Sequence, residues 1–380
     1  MHNYLMHQYQ NHIGIVGAGI SGLALGCMLA KNNIPSILFE KHSKLGSHGA
    51  GISLSPNGLR VLEHMNLMND IHNHSVQTSR TRIYSDSRCV YSADPLLRTM
   101  SRENLYKILL EEYLSSGGEI LFNHDLKGID NNKSKLFFNN GSEFIIRHLA
   151  ACDGIKSLCR EVVLKKNSDP IYSGYSAWRG LVASDQDHAS IYLSKRSHIV
   201  TYPIDKNTLS FVGVVKTNKA YKQQWMSRGS IKEMREDLSM HPNEILNTLS
   251  KANELHKWGI YQRPKLKNLF NNNTTLLGDA AHPIVPFLGQ GGCMALEDSF
   301  VFGKLLIANI NDLQKAQSLY EKIRINRINK IKQMSEFQGR LYHLSNPLLV
   351  KVRNFLMNLS SSTTDKRLDR IWSYDPLDYL

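Results

Sequence analysis

Residues 12–40 read HIGIVGAGISGLALGCMLAKNNIPSILFE, and this segment is the strongest indication of the fold in the sequence. A strand-like apolar segment enters the glycine turn GAGISG, with Gly17, Gly19 and Gly22, and a helical segment and a second strand-like segment follow. Glu40 ends the second of these segments. A G-x-G-x-x-G turn between a strand and a helix, with an acid about 20 residues later, is the fingerprint of a dinucleotide-binding βαβ unit. The sequence therefore predicts an α/β fold that begins with a Rossmann-type unit.

Each part of this fingerprint has a physical reason. The glycines permit a tight turn and a close approach of the backbone to a diphosphate, which sits at the positive end of the helix. The acid accepts a hydrogen bond from a ribose hydroxyl. The unit stands at the start of the chain and we find no second fingerprint, which favours FAD over NAD as the tightly held nucleotide.

Residues 276–299, LLGDAAHPIVPFLGQGGCMALEDS, form a second glycine-rich segment. A strand end places the carboxylate of Asp279 where sugar hydroxyls can donate to it. The glycines that follow, Gly289, Gly291 and Gly292, allow backbone N–H groups to approach a flat ligand. A helix predicted from about residue 292 to 308 would direct its positive end at that ligand, which suits an anionic reduced flavin.

Two further positions indicate an anionic or polar ligand. Ser101 is a predicted N-cap, so Arg102 falls in the first turn of a helix, where a cation opposes the helix dipole. This placement indicates that Arg102 is held there for a partner such as a phosphate. In LAACDGIKSLCR, Asp153 and Gly154 follow an apolar strand and form a second strand-end acid beside a glycine.

The changes in pattern along the chain predict two domains and a helical end. Residues 1–11 are a flexible extension, and 12–170 are the first part of the FAD-binding domain. Segments rich in tyrosine and β-branched residues over 171–264 predict an inserted, mostly antiparallel β-sheet domain that binds substrate. Residues 265–313 return to the FAD-binding domain, and 314–380 are helical, with a predicted amphipathic helix in the tail GRLYHLSNPLLVKVRNFLMNL that packs on the substrate domain or on a second copy.

Composition narrows the class of protein. The 380 residues are 42% hydrophobic and 21% charged, which is typical of a globular protein with a sizeable core. The net charge of +13 would attract small anions, but the basic residues form no run with interleaved aromatics, so we expect no nucleic-acid partner. Five cysteines without a C-x-x-C pair predict no metal site and no disulfide framework. We expect a cytoplasmic protein with no transmembrane segment, and a homodimer is an assembly that the sequence allows.

Three motifs follow one another along the chain: GAGISG, then CDG, then GDAAHPIVP with LGQGG. In this order the chain resembles the single-component FAD-dependent monooxygenases, the group of 4-hydroxybenzoate, salicylate and 3-hydroxybenzoate hydroxylases and zeaxanthin epoxidase. The resemblance implies that Gly17, Gly19, Gly22 and Glu40 hold the ADP half of FAD. It implies that Arg102, Asp153, Gly154 and Asp279 bind the cofactor or meet the nicotinamide donor, and that Pro286, Gly289, Gly291 and Gly292 lie at the flavin ring. His282 fits the same motif as a structural residue.

Three segments, YSGYSAWRGLV, HIVTYPI and WSYD, are most similar to the salicylate and 3-hydroxybenzoate hydroxylase branch. The resemblance implies that His198 deprotonates a phenol with help from Gln290, and that Tyr202 lies beside the substrate. The phenolate would attack a flavin C4a-hydroperoxide formed from O2 after hydride transfer from NADH or NADPH. Arg179, Arg82 and Arg196 are candidates to neutralise a substrate carboxylate.

Other readings stay open at this point. The segment PFLGQGGCMALEDS is also similar to the epoxidase version, and an epoxidase needs no phenol-deprotonating base. Similar scaffolds act on carotenoids, urate or tetracyclines, and a flavin reductase of a prenyl chain is a further enzyme alternative. A flavin-binding sensor module is the non-enzymatic alternative. The sequence does not choose between NADH and NADPH.

Overall fold

The computed structural model describes residues 6–44, 46, 51–94, 97–166, 168–217, 227–360 and 366–380. The strands of this part of the chain are β1 (Ile13–Val16), β2 (Ser36–Phe39), β3 (Gly51–Leu54), β4 (Val76–Gln77), β5 (Thr81–Ser85), β6 (Arg88–Ala93), β7 (Arg98–Ser101), β8 (Glu119–Leu121), β9 (Leu126–Asp130), β10 (Lys135–Phe138), β11 (Glu143–Ile145), β12 (His148–Ala151), β13 (Ile171–Ala183), β14 (Ala189–Ser194), β15 (Ser197–Pro203), β16 (Thr208–Lys216), β17 (Ser227–Arg228), β18 (Leu255–Gln262), β19 (Phe270–Asn271) and β20 (Thr274–Leu276).

The helices are α1 (Ile20–Ala30), α2 (Pro56–His64), α3 (Met68–Asn73), α4 (Arg102–Ser115), α5 (Leu158–Leu164), α6 (Ile231–Asp237), α7 (Asn243–Leu249), α8 (Gly291–Ala308), α9 (Leu313–Tyr342), α10 (Pro347–Ser360) and α11 (Lys366–Trp372). Short 3₁₀ turns cover Gly278–Ala280, Pro286–Leu288 and Pro376–Tyr379.

The first sheet is the predicted Rossmann-type unit. Its six strands run in the order β19-β20-β12-β1-β2-β8, and all neighbours except β19 and β20 are parallel. Strands β1, β2 and β12 are buried along their whole length, which explains their continuous apolar runs. Val16 pairs with both Phe39 and Ala151, so the carboxyl ends of these three strands meet at one edge. Ligands of parallel α/β sheets bind at this edge.

The helices around this sheet explain the burial of the first βαβ unit. Every residue of α1 is buried, because it lies between the sheet and the helices α4 and α8. Its sequence is accordingly apolar on all sides instead of amphipathic. The predicted α8 begins at Gly291 and ends at Ala308, and Ser101 Oγ accepts from Asn104 N as the predicted cap of α4.

The second sheet has eight strands in the order β17-β18-β13-β16-β15-β14-β5-β6, and every pairing except β14 with β5 is antiparallel. The predicted α/β fold with a mostly antiparallel second sheet and C-terminal helices is confirmed. Strands β5 and β6 belong to this sheet, although they lie within residues 12–170, the predicted first part of the FAD-binding domain. Their pairing joins Thr81 to Ala189, and a contact so distant in sequence leaves no local pattern.

The two faces of the second sheet have different environments. One face packs against α6 and α7 through a cluster that includes Trp178, Ile199 and Phe211. The opposite face carries Ala177 and Val214, which belong to a buried cluster with Phe287 of the first domain. The helical part of this domain consists of two short helices, α6 and α7, with a turn between them.

Both ends of the described chain differ from the expectation. Tyr9 is 3% exposed and donates a hydrogen bond to Glu119, so it does not belong to a flexible extension; residues 1–5 lie outside the described residues. The tail is also not one continuous helix. It breaks after Tyr342, and Pro347 opens α10 with the Asn346 Oδ1 capping Leu348 N at 2.9 Å. Proline favours the first turn of a helix, which is why the break falls there. None of the helices described has the length and apolarity that crossing a membrane requires.

Candidate functional site

A single cavity of about 2140 Å³ runs from the carboxyl edge of the first sheet to the inner face of the second sheet. Most ligand pockets enclose about 300–1,000 Å³, so this cavity has room for a large cofactor and a second molecule. The predicted site residues that line it are Gly17, Gly19, Glu40, Arg102, Asp153, Gly154, Arg179, His198, Tyr202, Asp279, Pro286, Gly289, Gly291 and Gly292. The structure thus brings together fourteen residues from distant parts of the chain, whereas Gly22 and Gln290 do not line the cavity.

The glycine turn after β1 combines close packing with open space. A Cβ on Gly22 would lie 1.9 Å from the Gly17 carbonyl oxygen, and a Cβ on Gly17 would lie 2.4 Å from the Cys152 carbonyl oxygen. Both positions therefore need glycine for the turn itself. Gly19 differs, because a Cβ there would meet no atom within 4 Å. Gly19 thus borders space that a ligand can approach closely.

Glu40 is fixed at the end of β2 by backbone donors. Its Oε2 accepts from Ala18 N in the glycine turn, and its Oε1 accepts from His42 N, each over 2.9 Å. The side chain is 8% exposed and lines the cavity. A carboxylate held in this way keeps free lone pairs that can accept hydrogen bonds from the hydroxyls of a ribose.

Buried polar atoms without partners surround the middle of the cavity. Among the residues described, Arg102 Nε and Asp153 Oδ1 are buried and have no hydrogen-bond partner, while Asp153 Oδ2 accepts from Cys159 N at 3.1 Å. Burial raises the pKa of Asp153 and also that of Asp279, where the nearby His282 and Arg102 oppose the effect. Buried polar groups are normally satisfied, so these orphaned atoms indicate a polar ligand.

The glycine cluster before α8 forms the opposite wall. Gly289 has φ +65°, a left-handed conformation that favours glycine, and a Cβ on Gly289 or Gly291 would meet nothing within 4 Å. The helix α8 starts there without an acidic residue in its first turn. Its exposed N–H groups and positive dipole end therefore favour an anion or an electron-rich ring at this wall.

The structure places Gln290 outside the cavity lining. The resemblance implied that Gln290 helps His198 to deprotonate a phenol, but its side chain is 2% exposed and bonded to neighbours in the protein. Its Oε1 accepts from Asn57 Nδ2 and its Nε2 donates to Ser55 Oγ, each over 2.9 Å, and Asn57 also donates to Glu297 over 2.7 Å. Gln290 precedes the first turn of α8, and the backbone there turns its side chain toward α2.

A buried ionic cluster that the sequence did not reveal lies behind Gln290. Arg324 of α9 donates to Glu297 over 2.6 Å and to Asp298 over 2.7 Å, and all three side chains are fully buried. Arg327 also pairs with Glu297, and His282 bonds to Asp298. Burial alone would raise the pKa of Asp298, but His282 and Arg324 outweigh it and lower the pKa to about 2. The signal in the sequence was a pair of adjacent acids in a mostly apolar helix.

The inner face of the second sheet carries the predicted substrate residues. Period-two alternation predicted that His198, Val200 and Tyr202 share one face of β15, and all three line the cavity. His198 is 2% exposed, and burial, together with His343 and His241, holds its pKa well below 6.5. The imidazole is therefore neutral at pH 7 and can accept a proton.

Among the three candidate arginines, Arg179 alone lines the cavity. Its guanidinium carbon lies 4.4 Å from the ring centre of Trp258, and its Nε is buried without a partner among the described residues. Burial and the nearby Arg102 lower its pKa to about 10, so it stays charged at pH 7. Arg82 instead approaches His188, with 3.5 Å between Nη1 and Nε2, and Arg196 sits in the turn before β15 with φ +64°.

Known proteins match this chain in sequence or in structure over nearly its whole length. The family model for an FAD binding domain matches residues 10–335. The 3-amino-4-hydroxybenzoate 2-monooxygenase PtnB3 of Streptomyces platensis is 26% identical over 388 residues, covering 96% of each chain. The 3-hydroxybenzoate 6-hydroxylase of Klebsiella oxytoca is 28% identical over 374 residues, covering 90% of this chain and 91% of its own. The solved structure of Klebsiella pneumoniae HpxO with FAD and uric acid has a TM-score of 0.82 at 22% identity, covering 97% of this chain and 98% of that one.

Proposed function

Because the chain belongs to the family of the FAD binding domain, whose model matches residues 10–335, we propose that it is an FAD-dependent monooxygenase that hydroxylates a phenolic aromatic molecule. One observation carries this proposal: the glycine turn after β1 and the imidazole of His198 line the same cavity. The relatives at 26% and 28% identity are named for the hydroxylation of hydroxybenzoates, which supports a phenolic substrate for this chain too.

The chain's residues fit FAD. Gly17, Gly19 and Glu40 would hold its ADP half, since Gly19 leaves open space and Glu40 keeps free acceptor atoms. Arg102, Asp153, Gly154 and Asp279 would hold its polar middle, and Pro286, Gly289, Gly291 and Gly292 would lie against its ring. Gly22 would act indirectly, by closing the turn. When bound and reduced by NADH or NADPH, FAD activates O2 for transfer of one oxygen atom to the substrate.

His198 is the proposed general base. Its ring lies among aromatic side chains, 5.7 Å from Phe287 and 5.3 Å from Tyr342 between ring centres. In this apolar pocket the imidazole is neutral at pH 7, so it is free to accept the proton of a phenol at that pH. The resulting phenolate is richer in electrons than the phenol, so its ring carbon reacts more readily with an electrophilic oxygen. Tyr202 lines the same wall and would contact the substrate.

Arg179 is the proposed anchor for an anionic group of the substrate. Arg179 lines the cavity with its Nε buried, and its guanidinium carbon lies 4.4 Å from the ring centre of Trp258. A buried cation costs free energy unless an anion neutralises it. A carboxylate on the aromatic ring would meet this need through two parallel hydrogen bonds.

The first experiment measures NADH and NADPH oxidation in air by the FAD-loaded protein with 3-hydroxybenzoate, salicylate and 3-amino-4-hydroxybenzoate. We expect at least one to accelerate oxidation and to yield a hydroxylated product in equal amount. His198→Ala should lower kcat/KM by about 10²- to 10⁴-fold, the usual contribution of a general base. His148→Gln is the matched control, because His148 is also buried but bonds to Thr275 in the first sheet.

Two further results separate the parts of this proposal. Arg179→Met should raise KM for the carboxylated phenols much more than for phenol itself. Bound FAD with no acceleration by any phenol, together with oxygen-dependent turnover of a non-phenolic conjugated compound, would contradict the phenolic substrate. A protein that binds no FAD would contradict the proposal from its beginning.

A further inference from the structure

His198 is paired with a second histidine that the resemblance does not include. His198 Nδ1 lies 2.8 Å from His343 Nε2, and both side chains are buried, with exposed fractions of 2% and 8%. The ring centres are 4.9 Å apart. His198 lines the cavity, whereas His343 stands behind it. Since His198 Nδ1 is engaged with His343, Nε2 is the nitrogen that remains for a molecule in the cavity.

The position of His343 suits a group that becomes positively charged for a short time. It is the C-cap of α9, a helix of 30 residues, where the helix dipole and the last carbonyl groups favour a cation. Its ring stacks on Tyr175 at 5.0 Å between centres. Its Nδ1 is buried and has no hydrogen-bond partner among the described residues. That nitrogen carries the ring's proton if Nε2 is to accept a hydrogen bond.

Other charged and titratable groups near the pair disfavour a positive charge on His343. Lys216 and His241 lower the pKa of His343, after burial, and bring it to about 4. Tyr175 and Tyr342 pack near the pair, and burial raises the pKa of Tyr175, so it stays neutral. His343 is therefore neutral at pH 7 in the resting protein, and a proton on its Nε2 is disfavoured unless a negative charge forms nearby.

We propose that His343 is a positioning residue that fixes His198 with its proton on Nδ1, and that it takes up this proton when His198 Nε2 receives the proton of the substrate hydroxyl. The inference rests on the proposed role of His198 as base. The substrate O–H bond breaks and a bond to His198 Nε2 forms, while the proton on His198 Nδ1 passes to His343 Nε2. The pair then holds one positive charge beside the phenolate. The same two transfers run backward when the product oxygen is protonated again.

Nitrogen NMR of FAD-loaded protein with isotopically labelled histidine tests the tautomers without any substrate. The signals are assigned with His198→Gln and His343→Gln. At pH 7 we expect His198 neutral with its proton on Nδ1, and His343 neutral with its proton on Nδ1 and Nε2 as the acceptor. A His343 that donates its Nε2 proton to His198 Nδ1 would overturn the proposal.

Ultraviolet absorption of bound 3-hydroxybenzoate, followed against pH, measures the fraction bound as phenolate. His343→Leu should move the midpoint upward by about one to two pH units, the worth of a hydrogen bond to a charged group. His343→Gln keeps a hydrogen-bond acceptor for His198 but cannot take a proton. We therefore expect His198 to keep its proton on Nδ1 in this variant, and we expect a midpoint between those of the unchanged protein and His343→Leu. His148→Gln should leave the midpoint unchanged, because His148 is buried in β12 of the first sheet and does not line the cavity.

The outcomes of the two proposals are distinguishable. If His198→Ala shifts the midpoint and His343→Leu does not, the role of His343 is contradicted while His198 remains the base. If neither variant shifts it, the proposed function of His198 itself is contradicted. The NMR result also bears on His343 alone, because it reports the pair in the absence of turnover.

Discussion

Arg324 Nε donates to Asp298 Oδ1 over 2.7 Å, and both side chains are fully buried. This contact joins α9 to α8, the helix that begins at the glycine cluster of the cavity. Asp298 also accepts from Gly278 N over 2.9 Å, directly before Asp279. One ion pair thus fixes two walls of the proposed cofactor site.

Replacement of Arg324 by leucine should destabilise the protein. The change leaves Asp298 and part of Glu297 as buried carboxylates without their cation, and breaking a buried pair in this way typically costs about 3–5 kcal/mol. Urea unfolding at pH 7 measures the loss. Lys330→Leu is the control, because Lys330 lies on the same helix and is exposed. Equal losses in both variants would contradict the role of the ion pair.

Alanine at two glycines of the first turn should have separable effects. A Cβ on Gly22 would collide with the Gly17 carbonyl oxygen, so Gly22→Ala should lower both the free energy of unfolding and the flavin content. Gly19→Ala meets no protein atom and should leave the stability of the flavin-free protein unchanged, yet reduce flavin content. Absorbance ratios after gel filtration and urea unfolding give both quantities. Normal flavin content in Gly19→Ala would contradict the proposed approach of FAD to the turn.

Gln290→Leu should act on stability instead of on the chemical step. It leaves Asn57 and Ser55 with unsatisfied buried hydrogen bonds, which typically cost about 1–3 kcal/mol for each group. We expect kcat per FAD-loaded molecule to fall by less than about threefold, far from the loss of about 10²-fold or more for a catalytic proton-transfer group. Thermal unfolding and NADH oxidation in the same preparation measure both. A large fall in kcat at unchanged stability would instead support a role of Gln290 in helping His198 to deprotonate the phenol.

The free energy of unfolding should fall as the pH is lowered from about 6.5 toward 4. The upper limit is the pKa of a histidine in the unfolded chain, and the lower limit is the pKa of the buried histidines in the folded chain. Burial lowers the pKa of His148 to about 3 and those of His241 and His343 to about 4. In this range the unfolded chain binds protons that the folded chain excludes, so acid favours unfolding, by about 1.4 kcal/mol per pH unit for each histidine.

Urea unfolding at pH 7, 6 and 5 measures this slope. His241→Gln should reduce the slope by about one proton, because the unfolded chain then has one histidine fewer to protonate. A slope that is the same in both proteins would show that His241 is charged in the folded state.

The sequence predicted those parts of the site that depend on local geometry. The turn with Gly17 and Gly19, the acid at Glu40 and the cap at Ser101 are each defined by neighbours a few residues away, so the pattern alone specifies them. The alternation along β15 likewise placed His198 and the residues that share its face, because successive side chains of a strand point to opposite sides.

The first βαβ unit, the antiparallel character of the second sheet and the residue types of the site could all be predicted from local patterns in the amino-acid sequence. Three contacts became visible only in the folded chain: β5 joins the second sheet, Gln290 bonds to Asn57, and His198 meets His343. These contacts join positions far apart in the chain. Their formation depends on the packing of whole helices and sheets, and side chains brought together only by packing leave no repeating pattern in the sequence.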